Sequence, residues 1–256
     1  MSIALSINLN KIALIRNSRE GNFPDLKKFG QLCLDNGANG LTVHPRPDQR
    51  HIKPCDTREL ALVVKYFRAQ TGKNTEFNIE GNPQAAPRGD YPGLIPLALE
   101  TQPDQCTLVP DSDNQKTSDH GFDLTSTASQ LEPVIRRLKD NGIRVSLFMD
   151  PDIEQIRLAK EIGADRIELY TGPFAQAFEQ NKAEEIFQQH GEAAQLAQSI
   201  GLGINAGHDL NVENMAMYRK LPGLQEVSIG HALTVDALLI GMKATVQRYL
   251  SVCQPG

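Results

Sequence analysis

The 256-residue chain sets 26 lysines and arginines against 31 aspartates and glutamates, a formal net charge of −5, with no basic run. That balance argues against nucleic acid or an anionic membrane surface as a partner, and no apolar stretch approaches the length of a bilayer span. The length suits one large domain with a sizeable core, and four cysteines without a CxxC spacing point to a reducing cytoplasm.

Residues 3–10 (IALSINLN) set apolar Ile7 and Leu9 against polar Ser6, Asn8 and Asn10, the period of a strand with one apolar face. A loop with Arg16 and Arg19 leads to an amphipathic helix over 25–36, closed by Gly37. The second strand runs through Leu41 and Val43 to His44. Pro45 and Pro47 then stop it and stiffen a loop carrying Arg46, Arg50 and His51. Imidazole moves protons near neutral pH and guanidinium forks match phosphate oxygens, so this loop reads as a site for an anionic substrate. After a helix over 57–69, the third strand, 75–81, puts Asn78 and Glu80 on one face and Phe77 and Ile79 on the other. A loop rich in proline and glycine precedes a helix at 94–101.

The fourth strand, 105–111, opens into a polar loop and then a helix closed by Asn141 and Gly142. Strand five (144–150), a helix (152–162), strand six (165–172) and a long helical region to Ser199 follow. Strand seven (201–208), a short helix, strand eight (224–231) and a final helix to Leu250 complete the chain. Eight strands alternating with eight helices predict parallel strands, right-handed crossovers and closure into a single (βα)8 TIM barrel. An open doubly wound sheet is the alternative, and no GxGxxG follows the first strand to favour it.

Closure brings the C-terminal strand ends together, where this fold builds its sites. The residues there are Asn8, Asn10, His44, Glu80, Asp111, Asp150, Thr171, His208 and His231. The polar faces put Ser6, Thr42, Asn78, Ser146, Glu168, Glu226 and Ser228 into an unusually polar lumen. Strands seven and eight end alike, in NAGH and SIGHA, at the fold's habitual phosphate site. Gly207, Gly230 and His231 are therefore expected to hold a phosphate, with a helix beginning near Leu233. No metal is expected: HxH and HExxH are absent, and Arg46 beside His44 opposes a cation. Schiff-base chemistry has only Lys11 to use, without an obvious apolar pocket, whereas acid and base catalysis by His44, Glu80 and His208 fits.

The segments NLNKIALIRNSR, GLTVHPRPDQRHI, FNIEG, VSLFMD, IELYTG, INAGHDL and SIGHAL resemble the pyridoxine 5'-phosphate synthase family along nearly the whole chain. The resemblance implies condensation of two small phosphorylated substrates, 3-amino-2-oxopropyl phosphate and 1-deoxy-D-xylulose 5-phosphate, to pyridoxine 5'-phosphate, phosphate and water. It implies no metal or organic cofactor, and barrels assembled as dimers and then octamers. By motif, His44 and Glu80 resemble the proton acceptors and His208 the donor. Arg46, His51 and Thr117 match the contacts to the deoxyxylulose phosphate, and Asn8, Arg19, Gly230 and His231 those to the amino ketone phosphate. Asp209 falls at a further substrate-binding position. Many members read Gly there and Asp-His at Asn10-Lys11. Two other readings stay open: another phosphosugar isomerase, epimerase or aldolase on the same barrel, or a noncatalytic phosphate-binding descendant.

Overall fold

The computed structural model describes residues 2–254. Eight parallel strands close into a barrel in chain order: β1 (Ala4–Asn8), β2 (Gly40–Val43), β3 (Glu76–Gly81), β4 (Gln105–Leu108), β5 (Arg144–Met149), β6 (Arg166–Tyr170), β7 (Gly203–Gly207) and β8 (Leu224–Ile229). The β1–β8 pairing, from Ala4 opposite Glu226 to Ile7 opposite Ile229, completes the ring. The expected barrel is therefore the observed one. The strands are generally shorter than the alternation suggested, so most strand-end residues stand one to three positions beyond the last ladder residue.

Eleven helices, not eight, pack around the barrel among the described residues: α1 (Asn10–Asn17), α2 (Leu26–Asp35), α3 (Pro54–Thr71), α4 (Leu94–Thr101), α5 (Leu124–Asp140), α6 (Ile153–Glu161), α7 (Gly172–Glu179), α8 (Ala183–Ser199), α9 (Val212–Tyr218), α10 (His231–Ile240) and α11 (Met242–Cys253). The extra three have local causes. The segment expected to be a loop after β1 is helical, because Ile12 and Ala13 pack into the core. The long region before Ser199 breaks at Asn181, whose φ is 56°, and the last helix breaks at Gly241, φ 80°, a left-handed backbone that ends helices. Helix α10 begins at His231, two residues earlier than expected, directly after β8.

The core lies between barrel and helices, where Leu5, Ile7, Leu41, Val43, Ile79, Val145, Leu147, Ile167 and Val227 are buried on the strands' outer faces. The inner faces are polar, as the alternation required. Ser6 and Thr42 hydroxyls meet at 2.7 Å, Thr107 donates to Asn78 at 3.1 Å, and Asn205 donates to Gln105 at 3.3 Å. At the N-terminal floor the Arg144 guanidinium pairs with Glu76, and Arg166 donates to Asn205 (3.0 Å) and Glu226 (3.3 Å). Buried polar groups are tolerable only with such partners.

Candidate active site

At the opposite end of the lumen a cavity of about 370 Å³ opens among the strand ends. His44, the first residue after β2, is fixed by the Asn10 side chain, which accepts from its backbone N–H at 2.9 Å. Its Nε2 stands 2.7 Å from Asp111 Oδ2 and its Nδ1 3.7 Å from Glu80 Oε2. Arg46 Nη2 lies 2.7 Å from the same Asp111 oxygen. Burial works to raise the Asp111 pKa, but the charges of His44 and Arg46 and the Ser118 hydroxyl hold it well below the usual carboxylate range.

Arg46 is thus not an open fork. Its Nη1 also donates to the carbonyls of Ser112 (3.4 Å) and Gln115 (3.1 Å), and Arg50 grips the Asp113 and Gln115 carbonyls. The two arginines strap the β4 loop across the mouth. His51 takes the Ile52 N–H on Nδ1 at 2.9 Å. Burial, followed by the charges of His44, Arg46 and Arg50, lowers its pKa to about 3. A neutral imidazole with Nδ1 occupied carries its proton on Nε2, so His51 offers the site a donor without a charge.

Across the cavity, His208 follows β7 with Nε2 2.7 Å from Thr117 Oγ1 and Nδ1 2.9 Å from Asp209 Oδ2. The Tyr170 ring packs edge-on against it at 5.2 Å. Gly207, expected to help hold a phosphate, does not line this cavity; it packs against Glu168, whose Oε1 would have to move from 2.3 Å to admit a Cβ. Gly230 precedes α10, and a Cβ on it would lie 3.1 Å from the Asn8 Cβ. Asp25, Asp123 and Asp152 cap α2, α5 and α6 with their side chains, whereas α10 has glycine at its N-cap. Its first N–H groups therefore face the cavity without a side-chain acceptor from the cap, and with the positive end of the helix dipole.

Between the two walls lies an acid cluster. Glu80 accepts from Asn8 Nδ2 at 3.3 Å and from Ser228 Oγ at 3.5 Å. Burial, reinforced by Glu168, Asp111 and Glu226, raises its pKa well above the usual value. Burial and Glu226 push Glu168 up to about 8. Glu226, deeper in the lumen, is pushed to about 7 by burial against the pull of Arg166. Of the three, Glu80 is the one that stands against His44, so its raised pKa puts an exchangeable proton beside that imidazole.

Asn8, His44, Arg46, His51, Glu80, Thr117, His208, Asp209, Gly230 and His231 all line this one cavity. Arg19 does not; it is exposed beyond the end of α1. Arg50, expected only as part of the anion-binding loop, lines the cavity too, and sequence reasoning gave no site role to Phe148 or Lys116, which also form the wall. It placed Asp111 at a strand end without seeing that it bridges His44 and Arg46. A second cavity, about 390 Å³, shares His44 and Arg46 with the first, adds Asp111, and extends to the loop that carries Pro87 and Tyr91. Among the described residues, no group of three or more His, Cys, Asp or Glu side chains is arranged to hold a metal ion.

Together the closed barrel and this mouth define a (βα)8-barrel protein whose site is equipped to move protons beside anion-binding elements. The chain belongs to the family of the pyridoxal phosphate biosynthesis protein PdxJ, whose model matches residues 5–255. It is 49% identical over 257 residues to the pyridoxine 5'-phosphate synthase of Xanthomonas axonopodis pv. citri, covering 100% of this chain and 98% of that one. The pyridoxine 5'-phosphate synthase of Xylella fastidiosa is 47% identical over 249 residues, with 97% and 94% covered. Among solved structures, the thiamine phosphate pyrophosphorylase of Pyrococcus furiosus superposes with a TM-score of 0.59 at 10% identity, covering 98% of this chain and 95% of that one, a likeness of fold alone.

Proposed function

We propose that the cavity condenses 3-amino-2-oxopropyl phosphate with 1-deoxy-D-xylulose 5-phosphate, giving pyridoxine 5'-phosphate, inorganic phosphate and water. The observation that carries this reading is the convergence of His44, Glu80 and His208 on one cavity in a chain of the PdxJ family. Joining an amine to a ketone, losing water and phosphate, closing the ring and aromatising it are successive proton transfers. His44 and Glu80 serve as acceptors and His208 as the donor. Burial and the neighbouring carboxylates raise the Glu80 pKa and so its basicity; a substrate ammonium beside it favours the carboxylate, the form that accepts a proton.

The two phosphates are held on opposite walls, with the reacting carbons between them. The start of α10, with Gly230 and His231, and Asn8 take the amino ketone phosphate; Arg19 is assigned to the same group on the family resemblance alone. The deoxyxylulose phosphate meets the His51 Nε2–H and Thr117, and Arg46 adds its charge once the β4-loop carbonyls give way. No metal or organic cofactor is invoked.

Among the described residues no helix is long and apolar enough to cross a membrane. Free cysteines at 33, 55, 106 and 253, three of them buried, support a reducing cytoplasm. Helices α1 and α10 are in contact and expose Leu14, Ile15, Val235, Leu238, Leu239 and Ile240. An apolar face of that kind supports a homo-oligomer, dimers assembling to an octamer. The decisive experiment supplies the purified protein with each substrate alone and both together. Phosphate release and pyridoxine 5'-phosphate are expected only with both; their absence sinks the reading. Light scattering on the same sample reads the assembly.

A further inference from the structure

We propose that Asp209 is a positioning residue for His208: its carboxylate holds the imidazole Nδ1–H, so that Nε2 is the atom that delivers the proton to the substrate. The inference rests on reading His208 as the proton donor and adds what makes the donor directional. Nδ1 lies 2.9 Å from Asp209 Oδ2, and Nε2 points to the cavity, 2.7 Å from the Thr117 hydroxyl. A carboxylate accepts only, so the neutral ring keeps its hydrogen on Nδ1 and leaves the Nε2 lone pair for the Thr117 O–H. In the imidazolium both nitrogens carry hydrogen. The Nε2–H bond breaks and its proton goes to a substrate oxygen as the C–O bond opens and leaves its electron pair on that oxygen; the N–H pair stays on Nε2 and the ring returns to the same Nδ1–H form.

The backbone is built to hold this pair. His208 and Asp209 have φ of 88° and 56°, consecutive left-handed residues that are not glycine, a conformation that persists only where the surroundings impose it. Here they do. Thr171 N–H donates to the Gly207 carbonyl at 3.1 Å, its hydroxyl donates to the Gly207 and His208 carbonyls, and Asn214 Nδ2 donates to the Asp209 carbonyl at 3.0 Å. The His208 hydrogen bond first, then the charges of His208, His231 and Lys11, keep the Asp209 carboxyl below its ordinary value and so ionised. Tyr170, the ring against His208, is pushed up by burial and by Asp209, Asp119 and Asp150, so it stays neutral and does not compete for the proton.

The test compares Asp209→Gly and Asp209→Glu with the unsubstituted protein. Glycine is at ease at φ 56°, so Asp209→Gly should fold, which its thermal midpoint verifies. Nitrogen-15 resonances of labelled histidine, assigned with His208→Gln, report which nitrogen of His208 carries hydrogen. The unsubstituted protein should show the Nδ1–H form, Asp209→Gly a mixture, and Asp209→Glu a return toward Nδ1–H. With both substrates, Asp209→Gly should lower kcat by about 10–100-fold, the usual scale for a partner that orients a functional histidine, with KM within a few fold and partial rescue in Asp209→Glu. A raised KM at unchanged kcat would make Asp209 a substrate contact and overturn the proposal, as would an unchanged tautomer in Asp209→Gly. If the unsubstituted protein makes no pyridoxine 5'-phosphate, the functional reading fails, while the resonances still decide the His208–Asp209 pairing.

Discussion

Glu76 and Glu80 stand on the same face of β3, four residues apart, yet the barrel treats them oppositely. Burial would raise both. At the floor, hydrogen bonds and charge from Arg144 overcome it and hold Glu76 below its ordinary pKa. At the mouth, among the described residues, no guanidinium pairs with Glu80; burial and the neighbouring Glu168 and Asp111 raise it. The nearest basic side chain is His44, at 3.7 Å, itself shared with Asp111. A carboxylate locked to arginine is a brace, and one left without a fixed cation can exchange its proton. The floor closes the lumen with ion pairs, whereas at the mouth Arg46 pairs with Asp111 and Glu80 is left without a guanidinium.

The sharpest way to break that contrast is at the mouth. Glu80→Gln keeps the shape of the protonated acid and removes its proton transfer, so turnover should fall about a hundredfold or more with substrate affinity changed only a few fold. Steady-state kinetics with both substrates measure it. Turnover near that of the unsubstituted protein would return Glu80 to a structural role. Glu76→Gln, at the floor, should leave the chemistry intact.

Breaking the floor should cost stability instead. Arg144→Met leaves Glu76 without its partner, and with both side chains about a quarter exposed the loss should be about 1–2 kcal/mol, below the scale of fully buried pairs. Urea unfolding reads it. Because the folded pKa of Glu76 is depressed, the pair's contribution is present above the unfolded value near 4.3 and lost as pH falls through the folded one. The variant and the unsubstituted protein should therefore converge in acid.

A further substitution sharpens the comparison with the opposite sign. Glu168 keeps its proton in the folded protein up to about pH 8, whereas the unfolded chain releases it near 4.3. Its contribution is fully present below 4.3 and lost as pH rises toward 8. Glu168→Gln cannot ionise, so its thermal midpoint should gain on the unsubstituted protein between about pH 5 and pH 9, by a few degrees for each kcal/mol. A constant gap would mean that Glu168 is ionised throughout.

Much of this molecule was legible in advance because strand alternation is a local signal. Ile7, Val43 and Ile79 had to face the helices, and so Ser6, Thr42 and Asn78 had to face the lumen. The prolines after His44 and the paired glycine-histidine ends of β7 and β8 marked the mouth. Helix count was less legible. The segment after Asn10 has a weakly patterned run that becomes helical because it packs, and Asn181 and Gly241 divide runs that read as continuous.

The sequence by itself determined the barrel, the polarity of its lumen and the strand ends where the site forms, since each follows from periodicity and chain order. Only the tertiary structure decided which glutamates have raised pKa values and which a lowered one, that Arg46 is held by Asp111 and the β4 loop, that His51 is neutral, and how His208 is held between Thr117 and Asp209. Those properties depend on contacts of about 3 Å between residues far apart in the chain; Ser228 reaches Glu80 across 148 positions. Charge and proton position respond steeply to such distances in a buried site, and no local pattern encodes them.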